Sequence, residues 1–356
     1  MKALILSGGE GTRLRPLTYS QQKQLIPVAN KPVLFYGIED VIEAGVEEIG
    51  IITGPNADQV RSTVNSRDWD VEITFIHQGE PKGLAHTILV AKEVGFLKGE
   101  PFVMYLGDNI LQGGIAENTT QFREQTPDAS IMLSEVENPG RFGVADLNQD
   151  GTIKQLIEKP EDPPSNLALV GIYFFNAQIL KAVEHIDYSW RDELEITDAI
   201  QWLIDNGYEV RYTKVRGWWK DTGKPGDILE ANRLILDSIE REIRGEERID
   251  NASRVAGRVQ IADATVIDSI IKGPVVIGKE SKIENSYIGP YTSIGKNCTL
   301  ENTEIADSII LDSCKIKDTG KIVESLLGQG VELIKKKGRP KGYKLVLGDR
   351  SRAEMQ

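Results

Sequence analysis

Two hydrophobic rhythms divide the chain. Up to about residue 245, short apolar runs alternate with stretches of helical spacing. Ala3 to Leu6 is an apolar run that ends in glycines and reads as a buried strand of a parallel sheet. Asn30 can cap a helix opened by Pro32, with Leu34, Phe35, Ile38, Val41 and Ile42 at helical spacing until Gly45 ends it. Ile49 to Thr53 then reads as a strand, Ala57 to Asn65 as a helix, Val71 to Ile76 as a strand, Gly83 to Val94 as a helix and Phe102 to Leu106 as a strand. This alternation predicts an α/β domain with a mostly parallel sheet and crossover helices, whose ligands bind at the carboxyl ends of the strands. A less regular part follows. Strands are expected at Ile131 to Val136, Val144 to Asp146, Gly171 to Phe175 and Val210 to Val215, a loop at Pro160 to Pro164, and helices from Glu193 to Asn206 and from Pro225 to Ile243.

Beyond that helix the beat changes. Ile277, Ile283, Ile288, Ile294, Leu300, Ile305, Ile310, Ile316 and Ile322 recur every five or six residues, with Gly, Ser, Asn and Asp between them. Such a beat suits neither an amphipathic helix nor a simple strand. It marks a hexapeptide solenoid, in which short strands wind a triangular coil and aliphatic side chains stack inside. The pattern resembles a left-handed parallel β-helix, with Gly278, Gly289 and Gly295 expected at its corners. The domains expected are therefore 1–245, 246–335 and a tail at 336–356.

Composition narrows the function. Among 356 residues, 27% are charged and 40% apolar, and the net charge is -12. An acidic chain is a poor nonspecific nucleic-acid binder, so no nucleic-acid partner is expected, and anionic ligands must be met by local cations. The basic run Lys335 to Lys341 is short, lacks aromatics and reads as a solvated turn. No apolar run approaches a membrane span or a secretory core, so a cytoplasmic protein with no membrane partner is expected. Cys298 and Cys314 lack metal-like spacing and are expected to be buried reduced thiols.

The candidate chemistry starts at the first strand's end: Leu6-Ser7-Gly8-Gly9-Glu10-Gly11-Thr12-Arg13-Leu14-Arg15-Pro16, then Lys23-Gln24-Leu25-Ile26-Pro27. Glycines let a backbone turn tightly and bring its N–H groups to an anion, and Arg13 and Lys23 add full positive charge. A P-loop would need Lys and Ser or Thr after Gly11, and a dinucleotide fingerprint would need a glycine where Leu14 stands. The string instead resembles the signature of the sugar-phosphate nucleotidylyltransferases. That resemblance implies that Leu6, Ser7, Gly8, Gly9, Gly11, Thr12, Arg13, Gln24, Gln78, Gly83 and Asp108 hold a nucleoside triphosphate.

Further strings add to the resemblance. Leu106-Gly107-Asp108-Asn109 and Trp219-Lys220-Asp221-Thr222-Gly223 each put a carboxylate beside a glycine turn. Either aspartate alone reads equally as a turn or cap residue. Mg²⁺ on a nucleotide takes one or two protein carboxylates, and the resemblance makes Asp108 and Asp221 its expected ligands. Ile157-Glu158-Lys159-Pro160 resembles the family string whose lysine meets the sugar phosphate, and Gly143, Glu158, Leu169, Gly171 and Trp219 match positions lining a glucose pocket. Glu195 is a weaker candidate, with capping or core support as its other reading. Gln78-Gly79 with Gly83-Leu84-Ala85-His86 resembles the thymidylyltransferase branch, although an amide suits thymine and uracil equally.

The implied reaction moves a thymidylyl group from dTTP to glucose-1-phosphate, with a uridylyl or other nucleotidylyl transfer as the alternative. Arg13, Lys23 and Lys159 are its expected catalytic cations. The solenoid and the Leu345-Val346-Leu347-Gly348-Asp349 tail resemble the long form of that branch, and the solenoid implies a homo-oligomer. No histidine follows His185, which argues against the acyltransferases that share the solenoid. Arg13, Lys23, Asp108, Lys159 and Asp221 are all present, which argues against a noncatalytic regulator.

Overall fold

The computed structural model describes residues 1–335 and 349–354; residues 336–341 of the basic run and Leu345 to Gly348 lie outside them. The chain divides into two compact units. The first comprises Met1–Glu10, Gln21–Leu25 and Val33–Asp221; the second comprises Gly11–Ser20, Ile26–Pro32 and the chain from Thr222 onward.

In the first unit, Lys2–Ser7 lies between Glu48–Thr53 and Phe102–Leu106, parallel to both, and Glu72–His77 extends the parallel part. Parallel neighbours require crossovers, supplied here by the helices Val33–Glu43, Ala57–Val64 and Leu84–Glu93. Side chains of a strand alternate between faces, and both faces are covered: Leu4 and Leu6 enter one apolar cluster, Ala3 and Ile5 the other. Past Phe102–Leu106 the pairing turns antiparallel. Leu167–Phe175, buried along its length, pairs with Phe102–Leu106 on one side and with Ala129–Glu135 on the other, and Gly143–Leu147 and Ile153–Glu158 form an edge hairpin. Val210–Lys214 runs parallel to Ala129–Glu135.

Two sequence expectations are corrected. Asn30 caps no helix and Pro32 opens none. Pro27–Val28 and Lys31–Pro32 pair as a hairpin, whose turn residues Ala29 and Asn30 both take left-handed conformations, and the helix starts at Val33. The Asn30 amide is used elsewhere, donating to the Ile294 carbonyl at 2.6 Å. The long helix ends at Leu236 rather than Ile243. Ile243 packs instead on the solenoid's aliphatic stack, in the strand Glu242–Arg244 that pairs with Val259–Ala262.

The second unit carries short parallel strands in three sheets, one of six strands and two of five, the arrangement of a left-handed parallel β-helix. Register shows why the beat was so regular. Ile277 stacks on Ile294 and then Ile310, Ile283 on Leu300 and then Ile316, and Ile288 on Ile305 and then Ile322, one aliphatic column per face. Gly278 and Gly295 sit at a corner as expected; a Cβ on Gly278 would lie 2.6 Å from the Gly295 backbone. The left-handed corner positions belong to other residues, among them Asn285, Asn297, Asn302, Asp307 and Asp318, the residue types that bear positive φ best. Asn285 donates to Asn302 at 2.6 Å and Asn302 to Asp318 at 2.7 Å, a polar ladder down one edge. Cys298 and Cys314 are buried and free. No helix among the described residues is long and apolar enough to cross a membrane.

Candidate nucleotide and sugar-phosphate site

The glycine loop leaves the sheet where three strand ends crowd together. A Cβ on Gly54 would lie 2.5 Å from the Gly8 carbonyl, and one on Gly107 would lie 2.7 Å from that of Leu6. Replacing Gly54 by Ala is therefore expected to cost about 1–3 kcal/mol, read as a lower urea midpoint, since backbone cannot yield as a side chain does. Ser7 is wholly buried, leaving its backbone to take part in the loop. Gln78 comes to Gly8, its Oε1 3.3 Å from where a Cβ of Gly8 would be, while its Nε2 lies 3.4 Å from the Gly83 carbonyl and 3.3 Å from Nδ1 of His86. Gly83 has positive φ and a Cβ there would meet the Leu194 carbonyl at 2.4 Å, so glycine is required. Burial and the nearby Lys82 ammonium lower the His86 pKa, which favours the neutral ring. Gly11, Thr12 and Arg13 belong to the second unit, where Gly11 adopts a left-handed turn into Thr12–Leu14 and Thr18 Oγ1 donates to the Gly11 carbonyl at 2.8 Å.

The two aspartates are brought together by one strand pairing. Asp108 follows Phe102–Leu106, and Trp219–Asp221 pairs antiparallel with Asn109–Leu111, placing Asp221 opposite Asn109. Lys23, buried on the turn Lys23–Leu25 beside Gln24, ion-pairs with Asp108, and its Nζ lies 3.8 Å from Asp221 Oδ1. Asn109 fixes the pairing: its Nδ2 donates to Asp108 Oδ1 at 2.9 Å and its Oδ1 accepts from Trp219 Nε1 at 2.5 Å. Burial raises the pKa of Asp108, but the Lys23 ammonium, together with hydrogen bonds from the Asp108 backbone and Asn109, outweighs it and the net shift is downward. The Lys23 ammonium thus lies beside both carboxylates. Among the described residues no third His, Cys, Asp or Glu joins a metal-binding cluster. Two carboxylates suit a hard cation that fills its other positions with phosphate and water.

A second charged group surrounds Glu158. Gly143 is its partner across the edge hairpin, and a Cβ on Gly143 would lie 2.7 Å from Thr197 Cγ2, 3.3 Å from Glu158 Oε2 and 3.6 Å from Leu169 Cδ2. Lys159 Nζ lies 3.2 Å from Glu158 Oε1. Gly171 faces Leu106 and Asn109, where a Cβ would come within 2.6 Å and 2.9 Å, and Trp219 meets Phe142 edge-on with centroids 5.3 Å apart. Glu195 makes no capping bond to the helix Ile196–Asp205. It accepts from Ser189 at 2.9 Å and from Arg191 at 3.1 Å, and burial with the like charge of Glu158 pushes its pKa up.

The Nucleotidyl transferase family profile matches residues 2–238, and that of the GMPPB C-terminal domain matches residues 271–350. The chain belongs to the nucleotidyl transferase family. Proteins named glucose-1-phosphate thymidylyltransferase from Streptomyces griseus and Streptomyces antibioticus are 45% and 46% identical to it over 100% of this chain and 99% and 100% of theirs. A structure of UDP-glucose pyrophosphorylase complexed with UDP-glucose is 26% identical, with a TM-score of 0.59 over 66% of this chain and 98% of that one. In this nucleotidyl transferase, two residues take places in the site that the motif strings did not give them. Arg191 joins the Glu158 group, with Nη1 3.5 Å from Glu158 Oε1 and Nη2 2.9 Å from Glu193 Oε1. Its arrival depends on tertiary packing, although its place just before Glu193-Leu194-Glu195 could have drawn notice. The other is Gln22, wholly inside the fold beside the glycine loop.

Proposed function

We infer that the chain is a glucose-1-phosphate thymidylyltransferase, forming dTDP-glucose and pyrophosphate from dTTP and glucose-1-phosphate. Full-length similarity to enzymes of that name supports the reading. The observation that carries it is the Lys23 ammonium held beside Asp108 and Asp221 at the strand ends, next to the glycine loop's sheet. An oxygen of the sugar phosphate, already ionised at neutral pH, attacks the α-phosphorus in line. A new P–O bond forms as the bond to the β-phosphate oxygen breaks, and pyrophosphate leaves with that electron pair. No base and no covalent protein intermediate are needed, so catalysis is positioning and charge.

The roles follow from charge and place. Lys159, with Arg191 beside the same Glu158, holds the attacking phosphate, and Glu158, Gly143, Leu169, Gly171 and Trp219 shape the sugar site. Lys23 neutralises charge at the α-phosphate. Arg13 and the N–H groups of the loop from Leu6 to Thr12, with Gln24, hold the departing phosphates. Gln78 and Gly83 meet the base edge. Asp108 and Asp221 hold a divalent ion, which we assign as Mg²⁺; when bound, it supplies charge neutralisation of the triphosphate. Gln78 suits uracil as well as thymine, so uridylyl transfer is the reading that a nucleotide comparison must exclude.

With dTTP and glucose-1-phosphate, mass spectrometry is expected to find dTDP-glucose and pyrophosphate in equal amounts. Labelled pyrophosphate is expected not to enter dTTP unless the sugar phosphate is present; exchange without it would contradict direct attack. Lys159→Ala is expected to raise KM for glucose-1-phosphate about tenfold or more, the loss of one charge-assisted contact, with KM for dTTP unchanged in the same assay. We further propose that catalysis belongs to the chain within residues 1–245, whose last strand Glu242–Arg244 already pairs into the solenoid, that the solenoid running on through 246–335 assembles copies of a cytoplasmic enzyme, and that a monomeric mass in sedimentation would refute the assembly.

A further inference from the structure

Gln22 lies outside every motif string, yet it is 2% exposed and all of its amide is engaged. Its Nε2 faces three acceptors: the carbonyls of Ser7 at 2.9 Å and Gly9 at 2.8 Å, and Oε1 of Gln24 at 2.8 Å. Its Oε1 accepts from Asn56 Nδ2 at 3.0 Å, which fixes which end of the amide points at the loop, and its backbone N–H donates to Gln59 Oε1 at 3.0 Å. In a trans peptide the C=O of one residue and the N–H of the next point to opposite sides. Holding the Ser7 and Gly9 carbonyls from inside therefore turns the N–H groups of Gly8 and Glu10 to the side away from Gln22. Holding Gln24 by its oxygen likewise turns that amide's donor end away, within 4.0 Å of a Cβ position on Gly9.

We propose that Gln22 is a positioning residue for triphosphate binding: it sets the glycine loop and Gln24 with their N–H donors presented to the phosphates before nucleotide arrives. This rests on the nucleotidylyl transfer inferred above. The donors then need no reorganisation on binding, which is what makes such a cradle effective.

The test compares Gln22→Glu and Gln22→Met with wild type. The first keeps the shape and sets a carboxylate oxygen against three oxygen acceptors; the second keeps the bulk and removes the donors. Calorimetric titration with dTTP and Mg²⁺ is expected to show affinity at least 30-fold weaker for Gln22→Glu and about tenfold weaker for Gln22→Met, with KM for glucose-1-phosphate within twofold of wild type. Unchanged nucleotide affinity in Gln22→Met would overturn the proposal, as would equal losses for nucleotide and sugar phosphate, which signal general loosening. Should Gln22→Glu fail to fold, Gln22→Met decides alone. If wild type uses UTP and not dTTP, the thymidylyl reading falls, while the same comparison with UTP still decides the role of Gln22, because phosphates and not the base are at issue. A wild type that binds no nucleoside triphosphate overturns both.

Discussion

Lys23→Met is expected to lower kcat for pyrophosphate release about 10³-fold, the scale of removing one preorganised charge from a phosphoryl transition state. The ammonium is buried and sits by both carboxylates, ion-paired with Asp108 and 3.8 Å from Asp221. The variant removes the ammonium that lies beside both carboxylates, in a poorly solvated place. The pH dependence of stability should change with it. In the wild type the Asp108 pKa is depressed, so its contribution is present above the ordinary carboxylate range and is lost as pH falls through the depressed value. Without Lys23, burial is opposed only by the hydrogen bonds that Asp108 accepts from its own backbone and from Asn109, and the pKa moves upward from its wild-type value. Relative to wild type, the variant should then gain stability as pH is lowered toward the carboxylate range, where Asp108 takes a proton. Urea unfolding from pH 8 to pH 5 checks this; parallel curves for the two proteins would show that the ammonium does not govern Asp108.

Asp108→Asn is expected to lower kcat by a similar factor, about 10³-fold, for a different reason. The amide still fits beside Asn109 and Lys23, but it withdraws the charge that a hard divalent ion requires. Turnover measured against Mg²⁺ concentration should therefore show a higher metal requirement, and Asp221→Asn should do the same. Raising the sugar phosphate should rescue neither, which separates both from Lys159→Ala. If Asp108→Asn and wild type respond to Mg²⁺ identically, Asp108 is only the partner of Lys23.

Much of this architecture was legible because it repeats or is local. The aliphatic beat of the solenoid could be read from Ile277 to Ile322 because each column of the prism returns the same face at a fixed interval. The parallel strands announced themselves as apolar runs because both faces of the sheet are covered. Asn30 and Pro32 misled because a two-residue hairpin turn and a helix cap favour the same residues; only the pairing of Pro27–Val28 with Lys31–Pro32 separates them. Ile243 was misplaced because a helical period and a solenoid rung both put an aliphatic there.

In the site, the strings around Asp108 and Asp221 led to residues that one strand pairing brings together. Lys23 and Glu158 were visible in the same way. Arg191 was not, since its position depends on a loop folding back over Glu158. Gln22 stands just before Lys23 and outside every motif string, so its role rests on the hydrogen bonds that its buried amide makes.

The most direct measurement is pyrophosphate release with glucose-1-phosphate and Mg²⁺, run separately with dTTP, UTP, GTP and ATP. The highest kcat/KM is expected with dTTP, UTP next, with little turnover of the purine nucleotides. Turnover with UTP and none with dTTP, or no turnover with any of the four in a folded protein, would contradict the thymidylyl reading.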